Sequence, residues 1–282
     1  MKYKTEDLEE KAKKVRSDII KMILKAGAGH PAGSLGMTDV FVALYFTILN
    51  HDPEKPNWKD RDRLILSAGH ICPALYATMS HSGYFDRKHL WKFGDFKGML
   101  QGHPHKEHLK GLESTSGPLG SGLAQACGIA MAAKMDDKRF RTYCITSDGE
   151  HQSGNHWEAV MFAGKNNLSN LTMIIDRNNI QIDGFTEDVM PLEPLADKYK
   201  AFNWSTIEID GHNFEEIISA VNKARAIYEN PTAIIARTIP GKGVDFMELD
   251  PGWHAKAPTK EEAKKALKEI RNMQGGIKEY GE

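Results

Sequence analysis

Apolar and polar positions along the chain change period several times, and the changes mark its elements. From Thr5 onward, Leu8, Ala12, Val15, Ile19, Met22, Ile23 and Ala26 fall on one face of a helix. Thr5 is placed to cap it, with Glu6 and Asp7 in the first turn. The helix stops at Gly27-Ala28-Gly29, a turn runs through Gly29–Gly36, and a second helix is predicted over about Thr38–Leu49. Asp52–Asp62 reads as a polar surface loop. Short apolar runs at Arg63–Ser67, Tyr143–Ser147, Leu171–Asp176, Trp204–Ile209 and Ala233–Arg237 read as buried strands. Helices are predicted over about Pro73–His81, Ser121–Met135 and Phe214–Tyr228, the last capped by Asn213, with a further helical segment after Ser147. Small residues at Ala124, Ala126, Gly128 and Ala130 would let their helix lie close to another backbone. Thr259 and Glu262 match a capping box for a final helix. Phe85–Glu113 shows no clear period, and a stretch that long is usually functional or carries short helices.

Strands alternating with helices predict an α/β fold: three layers, α/β/α, around a mostly parallel central sheet. One domain over residues 1–282 is the simplest account. With 40% apolar and 27% charged residues the chain has ordinary globular composition. A formal net charge of −1 gives no electrostatic reason to expect nucleic acid or an anionic membrane as partner. Cys72, Cys127 and Cys144 lie in apolar segments without paired spacing, which fits buried thiols in a reducing compartment. No apolar run approaches the roughly 18 residues of a membrane span. The N-terminus is a charged amphipathic helix instead of a signal peptide, so the expected location is cytoplasmic.

The chemistry concentrates in Tyr143–Gly184. Its two strands end on oxygen-bearing side chains: Asp148 after the first, and Asp176, Asn178 and Asn179 after the second. Ligands of open parallel sheets sit outside the carboxyl ends of the strands. A carboxylate and an amide delivered there suit Mg²⁺ or Ca²⁺, and Mg²⁺ usually shares its coordination with substrate phosphates. Gly149 opens the next helical segment, where free N–H groups could meet an anion. Together these point to a metal-bridged diphosphate site, although Asp148 as a helix cap and Asn178 in a turn would also be ordinary. Four histidines sit in Gly-rich or turn contexts: His30 in AGHPAG, His70 in SAGHIC, His103 in QGHPHK and His254 in GWHAKAP. They lack zinc spacing and suit hydrogen bonding and proton shuttling for a hydroxylated, anionic ligand.

Ser-Asp-Gly at 147–149 with Asn178-Asn179 resembles the Gly-Asp-Gly…Asn-Asn fingerprint of thiamine diphosphate enzymes. The contexts IDRNNIQIDG and AGHPAGSLG are similar to those of transketolases, and the resemblance runs from about Asp18 to Pro258. It implies two-carbon ketol transfer from a ketose to an aldose, using thiamine diphosphate and Mg²⁺ or Ca²⁺. It also implies site roles. His30 and His103 would contact the donor sugar, His70 the diphosphate, and His254 would lie between diphosphate and substrate. Gly117 and Leu119 would approach the aminopyrimidine, and Ile180 and Ile182 would pack against the cofactor's rings. Asp148, the Asn178 amide and the Ile180 carbonyl would hold the metal, beside Gly149. Glu158 would belong to a carboxylate relay linking two cofactor sites.

The chain departs from the family's pattern at three places: Ser147 for the first glycine, Ser153 for a relay glutamate, and Ala255 for the glycine after that histidine. Glu150 lies three positions before Ser153 and is not assumed to substitute for the missing relay member. A complete transketolase is more than twice this long and includes a pyrimidine-binding domain. The resemblance therefore implies the N-terminal subunit of a split enzyme, completed by a separate C-terminal subunit in an α₂β₂ assembly. A sulfonated or branched ketose is among the donors such an enzyme would take. The weighed alternatives are a subunit related to 1-deoxyxylulose-5-phosphate synthase or 2-oxo acid dehydrogenases, or a non-catalytic cofactor-binding subunit. No Gly-x-Gly-x-x-Gly follows a first strand, which speaks against a dinucleotide dehydrogenase.

Overall fold

The computed structural model describes residues 3–273. Its helices are α1 (Thr5–Ala26), α2 (Pro31–Gly36), α3 (Thr38–Ala43), α4 (Cys72–His81), α5 (Gly122–Met135), α6 (Gly154–Lys165), α7 (Thr186–Val189), α8 (Leu195–Ala201), α9 (Phe214–Ala226) and α10 (Lys260–Asn272). Its strands are β1 (Arg63–Leu66), β2 (Thr142–Ser147), β3 (Leu171–Arg177), β4 (Ile180–Gln181), β5 (Gly184–Phe185), β6 (Ser205–Asp210) and β7 (Thr232–Arg237). Five strands form one parallel sheet in the order β1-β2-β3-β7-β6, while β4 and β5 make a small antiparallel hairpin.

Alternation along the strands separates two apolar layers, as a parallel sheet covered on both faces requires. Tyr143, Ile145, Ile174, Ile234 and Ala236 face the layer built from α1, α3, α4 and α9. Cys144, Met173, Ile175, Ala233 and Ile235 face the other, with Leu123, Val160, Leu195 and Tyr199 from α5, α6 and α8. The expected α/β/α layering is therefore present. α1 buries Leu8, Val15, Ile19, Ile20, Met22 and Ile23 completely, and each such side chain contributes about 1.5–3 kcal/mol. All three cysteines are buried free thiols, and burial pushes each thiol pKa up.

Several predicted boundaries move. The α1 cap is Lys4, not Thr5: the Asp7 carboxylate accepts from the Lys4 backbone N–H at 3.2 Å. The expected turn through residues 29–36 is instead the helix α2, with Pro31 in its first turn, where Pro fits. Glycine is needed inside α2, because a Cβ at Gly33 would stand 2.8 Å from Ile71, and one at Gly36 3.0 Å from the Ile239 carbonyl. The helix after Thr38 is regular only to Ala43. It then widens through Leu44–Ile48, closed by Leu49 N–H to Leu44 C=O at 2.8 Å. α9 stops at Ala226, two residues short of the prediction. Arg61 and Asp62, expected in a surface loop, are buried. Of the four small residues in α5, Ala126 and Ala130 are buried, whereas Ala124 and Gly128 face outward. Within 85–113 the only helical piece is the 3-10 turn Arg87–Lys92.

No helix among the described residues is long and apolar enough to cross a membrane.

Candidate active site

Every residue singled out around the histidines lies beyond the carboxyl end of a strand or in a loop that reaches it. His70 follows β1 in the 3-10 turn Gly69–Ile71, His30 caps α2, and His254 follows the turn Pro251–Trp253 beyond β7. The four rings assemble around His30. Its centroid is 5.2 Å from His70, 5.5 Å from His254 and 6.3 Å from His103, and His70 lies 5.4 Å from His254. Close approach depends on glycine at two points. A Cβ at Gly69 would stand 2.9 Å from the Gly117 nitrogen and 3.1 Å from the His103 ring. Gly117 itself sits at φ +147°, with the His103 ring against it.

Burial disfavours charge on His30, His70 and His254. Burial, then His254 and His103, lowers the His30 pKa to about 4. Burial and the other three rings push His70 well down, and burial lowers His254. Neutral imidazoles can both donate and accept, which suits a hydroxylated ligand.

Beside this ring lies the turn at the ends of β2 and β3. The two strands are in register at Ser147 and Asp176, which brings Asp148 next to residues 176–179. Asp148 is fully buried. Its Oδ1 accepts from the Gly149 N–H at 2.7 Å, and its Oδ2 from the Asn179 N–H at 2.7 Å and Arg177 Nη1 at 2.9 Å. Asn178 Oδ1 accepts from the Ile180 N–H at 2.9 Å, and its Nδ2 donates to Asp176 Oδ2 at 2.7 Å. Asp176 also accepts from the Thr238 hydroxyl; burial, reinforced by Asp148, pushes its pKa up to about 7. The α2 helix reaches this turn, since a Cβ at Gly33 would stand 3.8 Å from Asp176 Oδ2. The histidine ring and the oxygen-rich turn therefore share one edge of the sheet.

One expectation about Gly149 does not hold. Its N–H is spent on the Asp148 carboxylate, and the helical piece it opens is a single 3-10 turn, Gly149–Gln152; α6 begins only at Gly154. Asp148 thus caps that turn as well as lying at the strand end.

Two buried groups carry more of this architecture than sequence reasoning assigns to them. Glu150 Oε1 accepts from the Ser147 N–H at 2.7 Å; its Oε2 accepts from the Gly120 N–H at 2.7 Å and the Ser67 hydroxyl at 2.5 Å. It ties the end of β1, the end of β2 and the SGPLG loop together, so it points inward and does not stand in for the glutamate absent at Ser153. Burial raises its pKa. Ser153 instead packs on Gly120, where a Cβ would stand 2.8 Å from its own.

His151 donates from Nδ1 to the Ser147 carbonyl at 2.9 Å and the Asp148 carbonyl at 3.1 Å. Its Nε2 then accepts from the Tyr199 hydroxyl at 2.6 Å, whose oxygen accepts from His156 Nε2 at 2.7 Å. Burial lowers the His151 pKa to about 4. A carboxylate or histidine next to the fingerprint is the only signal in the sequence for these roles.

Other predicted residues sit at the surface. Ile180 is buried in β4, but Ile182 is 75% exposed at the hairpin and Leu119 42% exposed beside Gly117. Glu158 is exposed on α6, and its side chain makes no hydrogen bond or ion pair among the described residues. Ala255 is exposed. Met161 and Phe162 on α6, Phe185 in the hairpin, and Val189 and Met190 after it, are exposed apolar side chains.

Residues 8–275 match the family model described as transketolase, thiamine diphosphate binding domain. The chain is 42% identical over 264 residues to the 6-deoxy-6-sulfo-D-fructose transketolase subunit SqwG of Clostridium sp., covering 94% of this chain and 96% of that protein. It is 40% identical over 265 residues to one of the apulose-4-phosphate transketolase subunits of Phocaeicola vulgatus, covering 94% of each. Among solved structures it is similar to the transketolase of Campylobacter jejuni, with a TM-score of 0.90 and 33% identity. That likeness covers 98% of this chain but only 45% of the other. The matched model, the near-complete overlap with subunit-length relatives and the shared fold together mean that this chain belongs to the transketolase family, in its thiamine diphosphate-binding domain.

Proposed function

We propose that this chain is the diphosphate-binding, N-terminal subunit of a two-chain transketolase, folded as one domain and active only with a separate C-terminal subunit. The observation that carries this reading is the convergence of four histidines and a hard-oxygen turn on one sheet edge.

The turn fits a divalent metal by lone-pair counting. A carboxylate has about four acceptor sites, and Asp148 spends three of them within the chain. One site remains on Oδ1. The Asn178 amide oxygen likewise has one acceptor site beyond its bond to Ile180. Asp148, Asn178 and the Ile180 carbonyl would hold Mg²⁺ or Ca²⁺, with His70 toward the diphosphate. When bound, thiamine diphosphate supplies the nucleophilic carbon and electron sink for breaking and making a carbon–carbon bond beside a carbonyl.

The chain's own histidines do the rest. His30, His103 and His254 take and return protons at sugar hydroxyls and orient the ligand. Gly117, Leu119, Ile180 and Ile182 flank its rings. The donor is a ketose phosphate or related anionic sugar; the named relatives act on a sulfonated fructose and on apulose 4-phosphate.

A separate partner is supported by the relatives' being named as subunits. Leu119, Ile182, Phe185, Met161 and Phe162 are exposed apolar side chains, the kind of surface a partner subunit would cover. Glu158 lies on the same outer helix, placed for a contact between subunits in an α₂β₂ assembly. The buried free cysteines fit a reducing cytoplasm.

The test is calorimetric titration of thiamine diphosphate with Mg²⁺ into this chain, alone and mixed with the C-terminal subunit. Ketol transfer by the mixture and none by the chain alone is the expected result. Binding in neither case overturns the cofactor assignment, and turnover by the chain alone overturns the two-chain reading.

A further inference from the structure

Arg177 is the last residue of β3, and its side chain is 3% exposed. Its guanidinium meets three carboxylates. Nη1 donates to Asp148 Oδ2 at 2.9 Å, Nη2 to Glu187 Oε1 at 2.5 Å, and Nη2 and Nε to Glu193 Oε1 at 3.2 and 3.3 Å. Each carboxylate is also anchored by backbone: Asp148 as above, Glu187 by the Leu192 N–H at 3.0 Å, and Glu193 by the Leu195 N–H at 2.8 Å. Arg177 cannot swing away without leaving the fully buried Asp148 carboxylate without its cation, so Asp148 Oδ2 is held occupied.

The geometry points to Arg177 as the residue that sets how Asp148 can bind a metal, and through that which metal the site takes. With Oδ2 filled by Arg177 and the Asn179 N–H, only Oδ1 is open, and the carboxylate can give a cation one bond but not two. Ca²⁺ takes six to eight oxygens, often including a bidentate carboxylate, in flexible geometry; Mg²⁺ demands a rigid octahedron of single contacts. A pinned, one-bond carboxylate therefore favours Mg²⁺ over Ca²⁺. This rests on the metal-site reading above and deepens it.

The neighbouring positive charge repels both divalent ions alike, so it cancels when the two affinities are divided. That ratio isolates denticity. Arg177→Met removes both the pin and the charge. Arg177→Lys keeps the charge but replaces the planar fork by a point donor that cannot hold three carboxylates together.

The experiment measures, by calorimetry, the affinity of each protein for thiamine diphosphate in saturating MgCl₂ and CaCl₂, with the C-terminal subunit present. The folded state of each variant is checked by its thermal unfolding. The wild type is expected to bind with Mg²⁺ more tightly than with Ca²⁺. Both substitutions are expected to move the ratio toward Ca²⁺ by about tenfold, the worth of one additional metal ligand. Wild-type preference for Ca²⁺ overturns the inference even if neither variant folds, and so does an unchanged ratio in folded variants. A ratio that moves in Arg177→Met but not in Arg177→Lys also overturns it, since loss of the planar fork would then not be what sets the ratio. Absence of any metal-dependent cofactor binding by the wild type is a different failure, which removes the metal-site reading itself and this inference with it.

Discussion

The turn at the ends of β2 and β3 and the ring of histidines beside it differ in how much of their bonding is already made. At the turn, Asp148, Asp176, Asn178 and Arg177 are buried, and each has several partners within the chain. In the ring, His103 is exposed, while His30 and His254 are only half-buried. The rim around it carries Leu119 and Ile182 in solvent. A site that must present a fixed donor set benefits from rigid prior bonding. On the proposed reading, the other half is completed by a sugar and a second chain, and must keep its hydrogen-bonding groups free. The difference accounts for why one half is finished in the lone chain and the other is open.

The largest effect comes from removing the centre of the rigid half. Asp148→Ala is expected to abolish metal-dependent cofactor binding. It also costs about 3 kcal/mol of stability, the low end for breaking a buried pair, because Arg177 keeps Glu187 and Glu193. Calorimetry and chemical denaturation read the two effects, and unchanged cofactor affinity would show the metal assignment to be wrong.

Glu150→Ala strands the N–H groups of Ser147 and Gly120 and frees the Ser67 hydroxyl. A loss of about 3 kcal/mol follows from leaving such donors buried without acceptors. Hydrogen exchange should speed up at Gly120, and at Gly122, whose N–H donates to the Ser67 hydroxyl at 3.1 Å. Native protection there would mean that Glu150 does not hold the loop.

In the open half, His103→Ala is expected to slow turnover of the two-chain enzyme about 100-fold while leaving cofactor affinity nearly unchanged. A parallel loss of cofactor affinity would move His103 to the diphosphate and blur the division between halves.

The pH response of His30 follows in size. Its pKa is held near 4, below its ordinary 6.5, mainly by burial. Between those values the unfolded chain binds the proton and the folded chain does not, so His30 adds stability above about pH 6.5 that is lost as pH falls toward 4. Relative to His30→Gln, the wild type should lose stability across that window in denaturant titrations. A constant gap between the two proteins would place His30 in a more solvated setting.

The smallest effect is expected at Ile182→Ser. A side chain 75% exposed supports little of the fold, so stability should stay within about 0.5 kcal/mol. Cofactor or partner binding should nonetheless weaken measurably. If stability fell and binding did not, Ile182 would belong to the lone chain's own packing.

Much of the fold is legible because its periods are strong. The apolar runs before Ser147 and Asp176 form β2 and β3 within one residue of their predicted ends. Thr259 and Glu262 make the capping box of α10, and Asn213 caps α9. What the sequence hides depends on distant neighbours. AGHPAGSLG reads as a turn from its glycines, whereas Gly33 and Gly36 serve close packing against Ile71 and Ile239. The β4–β5 hairpin is too short to carry a period. Gly149 reads as offering a free N–H because its local sequence does not reveal that Asp148 folds back onto it.

The sequence by itself determined the family, the alternation of strands and helices, and the residue types on which the proposed chemistry rests: a carboxylate, an amide and four histidines in glycine or turn contexts. Only the tertiary structure decided that His30 and His254, more than two hundred positions apart in the chain, meet at 5.5 Å. It also decided that Glu150 is an interior clamp and that Arg177 occupies one oxygen of Asp148. The reason is physical. Local periodicity sets which face of an element is buried, but strand order and register set which loop ends converge, and burial then dictates which polar groups must find each other.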